Sequence, residues 1–255
     1  MPFYNPQDSE KAVALAAQQW LGYGSWDADY WFIGPEPGMN KGERNNLVQR
    51  CRAWLALGRD QRPALLDCRL HHDEFKRMEW FNRTIRMRRP INGETMRPPL
   101  QSTWRCLILL LLSFKGGRND NDAIGDYQSG AWGSERGETC VLELSALASN
   151  RLSNDTELKK KYSHFLSDRV LAIRQRVLSG HPTFVVMYGS AEPAWRYIAS
   201  GQSSEQCFQS KVMAGLEAGV CINDGIAFVT ALHPMAHGVT KAYWATIGEY
   251  LKNRF

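Results

Sequence analysis

Glu36 and His233 each stand on a short, stiff turn directly after an apolar run, and their types can do chemistry together. Trp31-Phe32-Ile33 is short, aromatic and β-branched, as a buried strand should be. It stops at Gly34-Pro35-Glu36-Pro37-Gly38, where two prolines fix φ and the glycines permit unusual angles. A carboxylate held there can orient or deprotonate a water, or simply cap backbone N–H groups. His233 follows a second apolar run and precedes Pro234. Its imidazole can donate to a substrate oxygen or move a proton, or it can be a structural histidine. Ser190, in Tyr188-Gly189-Ser190-Ala191-Glu192, lacks the second glycine of a nucleophile elbow and reads as packing or capping. His71-His72-Asp73 is no metal cluster, because adjacent side chains diverge and no carboxylate follows at helical spacing. Neither GxGxxG nor GxxxxGK[ST] occurs, so a dinucleotide fold or P-loop is unsupported.

The elements that must carry these turns are four strands separated by helical segments. Strands are expected at 31–33, 139–144, 183–188 and 226–231, and helices over 9–21, 46–58, 73–85, 103–114, 155–178 (broken near 164–168), from about 193, and over 240–251. Residues 116–137 are rich in Gly, Asn and Asp and read as a long surface loop in which Tyr127 and Trp132 could touch a ligand. The alternation implies one α/β domain over residues 1–255: a three-layer α/β/α sandwich on a mostly parallel four-stranded sheet. In such sheets ligands bind beyond the carboxyl ends of the strands, where both turns would lie.

The chain has 255 residues, a 44% hydrophobic content and a net charge of +5, which weakly favours a polyanionic partner. The excess concentrates in Arg77, Arg83, Arg86, Arg88, Arg89, Arg97 and Arg105, opposed within that stretch only by Glu79 and Glu94. The six cysteines are scattered without a CxxC, which argues against a disulfide scaffold and against zinc or iron–sulfur ligation. The N-terminus lacks the order of a signal peptide, and the longest apolar run, 106–112, is too short to span a bilayer. A cytoplasmic protein without cofactor or metal is expected.

Four pieces, in order, resemble the uracil-DNA glycosylase superfamily: "FIGPEPG" (32–38), "TWRCLILLLLSF" (103–114), "PTFVVMYGSAEPAWRYI" (182–198) and "TALHPMAHG" (230–238). Together they cover roughly two thirds of the chain. The resemblance implies a monomeric, metal-free DNA glycosylase of base excision repair, hydrolysing the N-glycosidic bond of an extruded base. By position, Glu36 would orient the water, with Asn40 as its rival, and His233 would donate to the departing base. Gly34, Pro37, Gly38, Ser145, Met235 and Gly238 would line the substrate and DNA path, and Arg86, Arg88 and Arg89 would contact phosphates. An aromatic at 40–55 or 127–132 would stack on the base. The chain departs from the family where uracil-recognising branches carry Asn at the end of the second strand. Ser145 stands nearest that place, and Asn150 comes later. Met235 replaces a common serine, and the thermophilic-type iron–sulfur cysteines are missing. Uracil, hypoxanthine, xanthine and 5-hydroxymethyluracil all remain candidate bases. A noncatalytic binder of damaged DNA, or a hydrolase of free nucleosides or nucleotides, is the alternative.

Overall fold

A computed structural model describes residues 6–36, 44–58, 63–71, 100–147, 162–201 and 207–255. In chain order these form α1 (Pro6–Gln19), β1 (Gly22–Gly24), β2 (Tyr30–Gly34), α2 (Arg44–Gly58), β3 (Leu65–Leu66), α3 (Ser102–Lys115), α4 (Asn121–Gly130) and β4 (Thr139–Glu143). There follow α5 (Phe165–Gly180), β5 (Phe184–Tyr188), α6 (Glu192–Ser200), β6 (Gln209–Met213), β7 (Leu216–Asn223), β8 (Ile226–Ala231) and α7 (Lys241–Lys252).

The strands make one mixed sheet of eight, in the order β3-β1-β4-β2-β5-β8-β7-β6. This corrects the expected mostly parallel four-stranded sheet. The middle four, β4-β2-β5-β8, are mutually parallel, but β1 runs antiparallel to β4, and the β6–β7 hairpin adds antiparallel strands beyond β8. The additions were hidden for physical reasons. β1 is Gly-Tyr-Gly, and glycine carries no strand signal. It is glycine because β4 passes so close that a Cβ at 22 or 24 would strike the Val141 or Thr139 carbonyl. β6 is half-exposed and polar at most positions, so its apolar pattern is faint. The β6–β7 turn at Ala214-Gly215 and the β7–β8 turn at Asp224-Gly225 hold positive φ at both residues, as tight hairpin turns require.

Alternate residues of the central strands face opposite layers. Phe32, Val141, Phe184, Val186 and Val229 pack with α1, α2, α3 and α7. Trp31, Ile33, Leu142, Val185, Met187 and Phe228 pack with α5 and α6. Both faces are therefore covered, which explains the near-continuous apolar runs of these strands. The 116–137 stretch is not a loop throughout. Asp120 accepts from the N–H groups of Asp122 and Ala123 and starts α4. Trp132 lies in the core 5.0 Å from Phe32, ring centre to ring centre. Gln101 caps α3 by accepting from the Trp104 N–H. No helix among the described residues is long and apolar enough to cross a membrane.

Candidate functional site

The chain leaves β2 for β4 on one side and then returns past β2 to β5 and β8 on the other. The reversal opens a crevice at the carboxyl ends of β2 and β5, the usual place for a ligand in such sheets. Four turns meet there, laced by backbone hydrogen bonds. Leu144 N–H donates to Gly34 O at 2.8 Å, Ser145 N–H to Pro35 O at 3.0 Å, and Gly189 N–H to Ala231 O at 2.9 Å. Gly189, at φ +80°, is the pivot: a Cβ there would lie 3.3 Å from Pro35 Cγ and 3.5 Å from His233 Cδ2. The indole N–H of Trp195 fixes its carbonyl at 3.0 Å. The turn after β2 and the turn after β8 thus flank one residue, and Glu36 and His233 come within electrostatic reach of each other.

His233 is held in a defined tautomer. Its Nδ1 accepts the Met235 N–H at 3.1 Å, which leaves the proton of the neutral ring on Nε2 as a donor. Its carbonyl accepts the Ala236 N–H at 2.8 Å, closing the turn. Just upstream, the Leu232 N–H donates to the Tyr243 hydroxyl, which donates to the Glu217 carbonyl, tying this turn to α7 and β7. Burial lowers the His233 pKa below its ordinary 6.5, and the charge of Glu36 opposes this only in part. The ring is therefore neutral at pH 7. A cavity of about 640 Å³ runs from this junction, lined by Pro35, Gly189, Trp195, Phe208, Thr230 and His233 among others.

A third ionisable group completes the junction. Glu143 ends β4 opposite Gly34, and its Oε2 is buried without a hydrogen-bond partner. Gly34 is glycine because any side chain there would collide with Glu143 Oε2 and the Tyr188 hydroxyl. That hydroxyl donates to Glu143 Oε1 at 3.4 Å. Burial pushes the carboxyl up to about 8, against the pull of Arg50, and nearby Glu36 raises it further. Glu143 was not read as a site residue from the sequence. The available signal was a lone acid closing the apolar run 140–144 at a strand's carboxyl end.

Of the other expected site residues, Ser145 sits beside the first turn, but its Oγ accepts the Leu147 N–H at 3.2 Å. Met235 is 60% exposed and serves His233 through its backbone alone. Gly238 lies in an exposed turn with open space around it. Asn40, Pro37, Gly38, Arg86, Arg88 and Arg89 lie outside the described residues. Within 127–132, Trp132 is a core residue and the half-buried Tyr127 donates its hydroxyl to Glu138 at 2.8 Å. Trp54 is equally buried, its indole N–H on the Pro63 carbonyl. His71 is a core residue: Nδ1 pairs with the Tyr23 hydroxyl at 2.8 Å and Nε2 with the Arg50 carbonyl at 3.1 Å. Compared with models of known protein families and with curated proteins, the chain matches none.

Proposed function

We propose that this chain is a monofunctional DNA glycosylase that hydrolyses the N-glycosidic bond of a deaminated or otherwise modified base. One observation carries the reading: a neutral His233, its Nε2–H left to donate, shares a switch-point crevice with the carboxylate of Glu36. Breaking a glycosidic bond places positive charge on the sugar and negative charge on the leaving base. Glu36 offsets the first and orients the water that attacks the anomeric carbon. The C–N electron pair leaves with the base, and the imidazole N–H stabilises the oxygen on which that charge accumulates. A neutral imidazole suits this role, since it donates a hydrogen bond without first having to be charged. The resemblance of the four motifs to the uracil-DNA glycosylase superfamily, and the net charge of +5, also favour a DNA substrate.

The test is base release under single-turnover conditions from oligonucleotides containing uracil, hypoxanthine, xanthine or 5-hydroxymethyluracil, single- and double-stranded. Release of at least one base is expected, slowed on the order of 100-fold in Glu36→Gln and in His233→Ala. If the wild type releases none of these bases, the reading is wrong.

A further inference from the structure

The cavity beside His233 is larger than a nucleobase needs. Its volume is about 640 Å³, several times that of the ring and in the range of sites that hold drug-sized ligands. The space runs away from His233 along one face of the sheet. Thr230 of β8, Gly219 of β7 and Ser210 of β6 are register partners and form the cross-strand row that floors it. A Cβ at Gly219 would collide with Thr230 Oγ1 and come 3.1 Å from Phe208 Cβ, so glycine keeps this floor low. Two residues on, the β7–β8 ladder opens. Leu232 would fall opposite Glu217 in the same register, yet the Tyr243 hydroxyl bridges them instead. It accepts the Leu232 N–H at 3.2 Å and donates to the Glu217 carbonyl at 3.0 Å. The lining carries one uncompensated charge among the described residues. Arg196 and Glu192 of α6 pair at 2.9 Å and cancel, and His233 is neutral. The Glu217 carboxylate has no hydrogen bond or ion pair to the described residues. It lies on the same face as Gly219, two positions away, as strand alternation requires.

We infer that this cavity is a channel for a side arm on the excised base: the ring sits at His233, and a substituent runs over Thr230 and Gly219 to place an ammonium group at Glu217. The substrate class is a nucleobase carrying an amine-terminated arm of several atoms. The inference rests on the reading of the chain as a base-excising enzyme. An alkyl stem packs against Phe208 and Trp195, and the Thr230 and Ser210 hydroxyls accept from the terminal N–H groups. A carboxylate arm meets the like charge of Glu217, and an unsubstituted ring leaves most of the channel to water. Gly219, Glu217 and Ser210 all come from the β6–β7 hairpin. That hairpin lies outside the four motifs that resemble the glycosylase superfamily, so the channel belongs to strands this chain has added.

The experiment measures single-turnover release from oligonucleotides in which the C5 of uracil carries a three- or six-carbon arm. The arm ends in an amine, in the same amine acetylated, or in a carboxylate, and the four unsubstituted bases are run beside them. Acetylation removes the charge and leaves the ring and its attachment alone. At one length or the other, the wild type should release the amine-armed base on the order of fivefold faster than its acetylated counterpart, as an exposed ion pair allows. That preference should shrink as salt rises. In Glu217→Gln the amine and acetylated arms should be released equally, and in Glu217→Lys the carboxylate arm should become the fastest of the three. Glu217 is exposed, so neither change disturbs the core, and a thermal melt of each variant checks this. Three results overturn the channel while leaving the glycosylase reading standing: release of a plain base but of no armed one, equal wild-type release of amine and acetylated arms at both lengths, or a preference that persists in Glu217→Gln. No release from any oligonucleotide, plain or armed, overturns both.

Discussion

His233 shows how much of a side chain's chemistry is set by its two nearest neighbours. The Met235 N–H occupies Nδ1, and burial holds the ring neutral, so the imidazole is a donor at Nε2 across the neutral range. Had the ring been open to water it would be partly charged near pH 6.5, and a charged donor would titrate away within the working range. Its pKa is depressed, so the neutral form persists below pH 6.5 and is lost only as pH falls through the lowered folded value. Single-turnover release should therefore show an acid limb lying below pH 6.5. Glu36→Gln removes the charge that opposes this shift, and should move a limb owned by His233 to lower pH. A limb fixed in place in that variant would assign it to another group. Glu36 and His233 were both legible as candidates because strand-ending turns are written in local residues. Glu143 was not, because its significance depends on Gly34 and Tyr188, residues 109 positions before and 45 after it, arriving over the same spot.

At the scale of elements, close approach is what the sheet and its helices demand. Gly248 of α7 faces α3, and a Cβ there would strike the Leu110 carbonyl and come 3.0 Å from the Phe114 N. Gly248→Ala should therefore prise α7 from α3 and cost about 1–3 kcal/mol, read as a lower denaturant midpoint with an unchanged slope. Stability equal to wild type would mean that the two helices adjust freely. Because α7 also carries Tyr243, whose hydroxyl receives the Leu232 N–H, the same change should slow base release more than it alters substrate preference. The long, strongly patterned elements β2, β5, β8 and α7 were readable, since each satisfies its own period and caps. β1 and β3 span three and two residues, and they exist as strands only because β4 and β1 offer them backbone partners.

For the molecule as a whole, the buried acid ties stability to pH. Glu143 titrates near its ordinary 4.5 when unfolded and at about 8 when folded, so the native state holds a proton that the unfolded chain releases. Its contribution is full below about pH 4.5 and declines as pH rises through about 8, by at most about 1.4 kcal/mol per pH unit. The depressed His233 acts at the other end, costing stability as pH falls below 6.5. Thermal melts of the wild type should drop in midpoint from pH 6 to pH 9, and Glu143→Gln should flatten that slope. A slope that survives the substitution would place the proton elsewhere.

What the sequence determined by itself was local: apolar runs that must be buried, prolines and glycines that must turn, and ionisable residues stranded at the ends of runs. These follow from steric and solvation rules that act over a few residues. Only the tertiary structure decided how many strands join the sheet, since backbone pairing of a Gly-Tyr-Gly segment or a half-polar edge hairpin leaves little trace in side-chain pattern. It alone also set which turns meet over Gly189 and which carboxyl ends up dry. A pKa and an unpaired oxygen belong to the space around an atom, and that space is filled by residues distant in the chain.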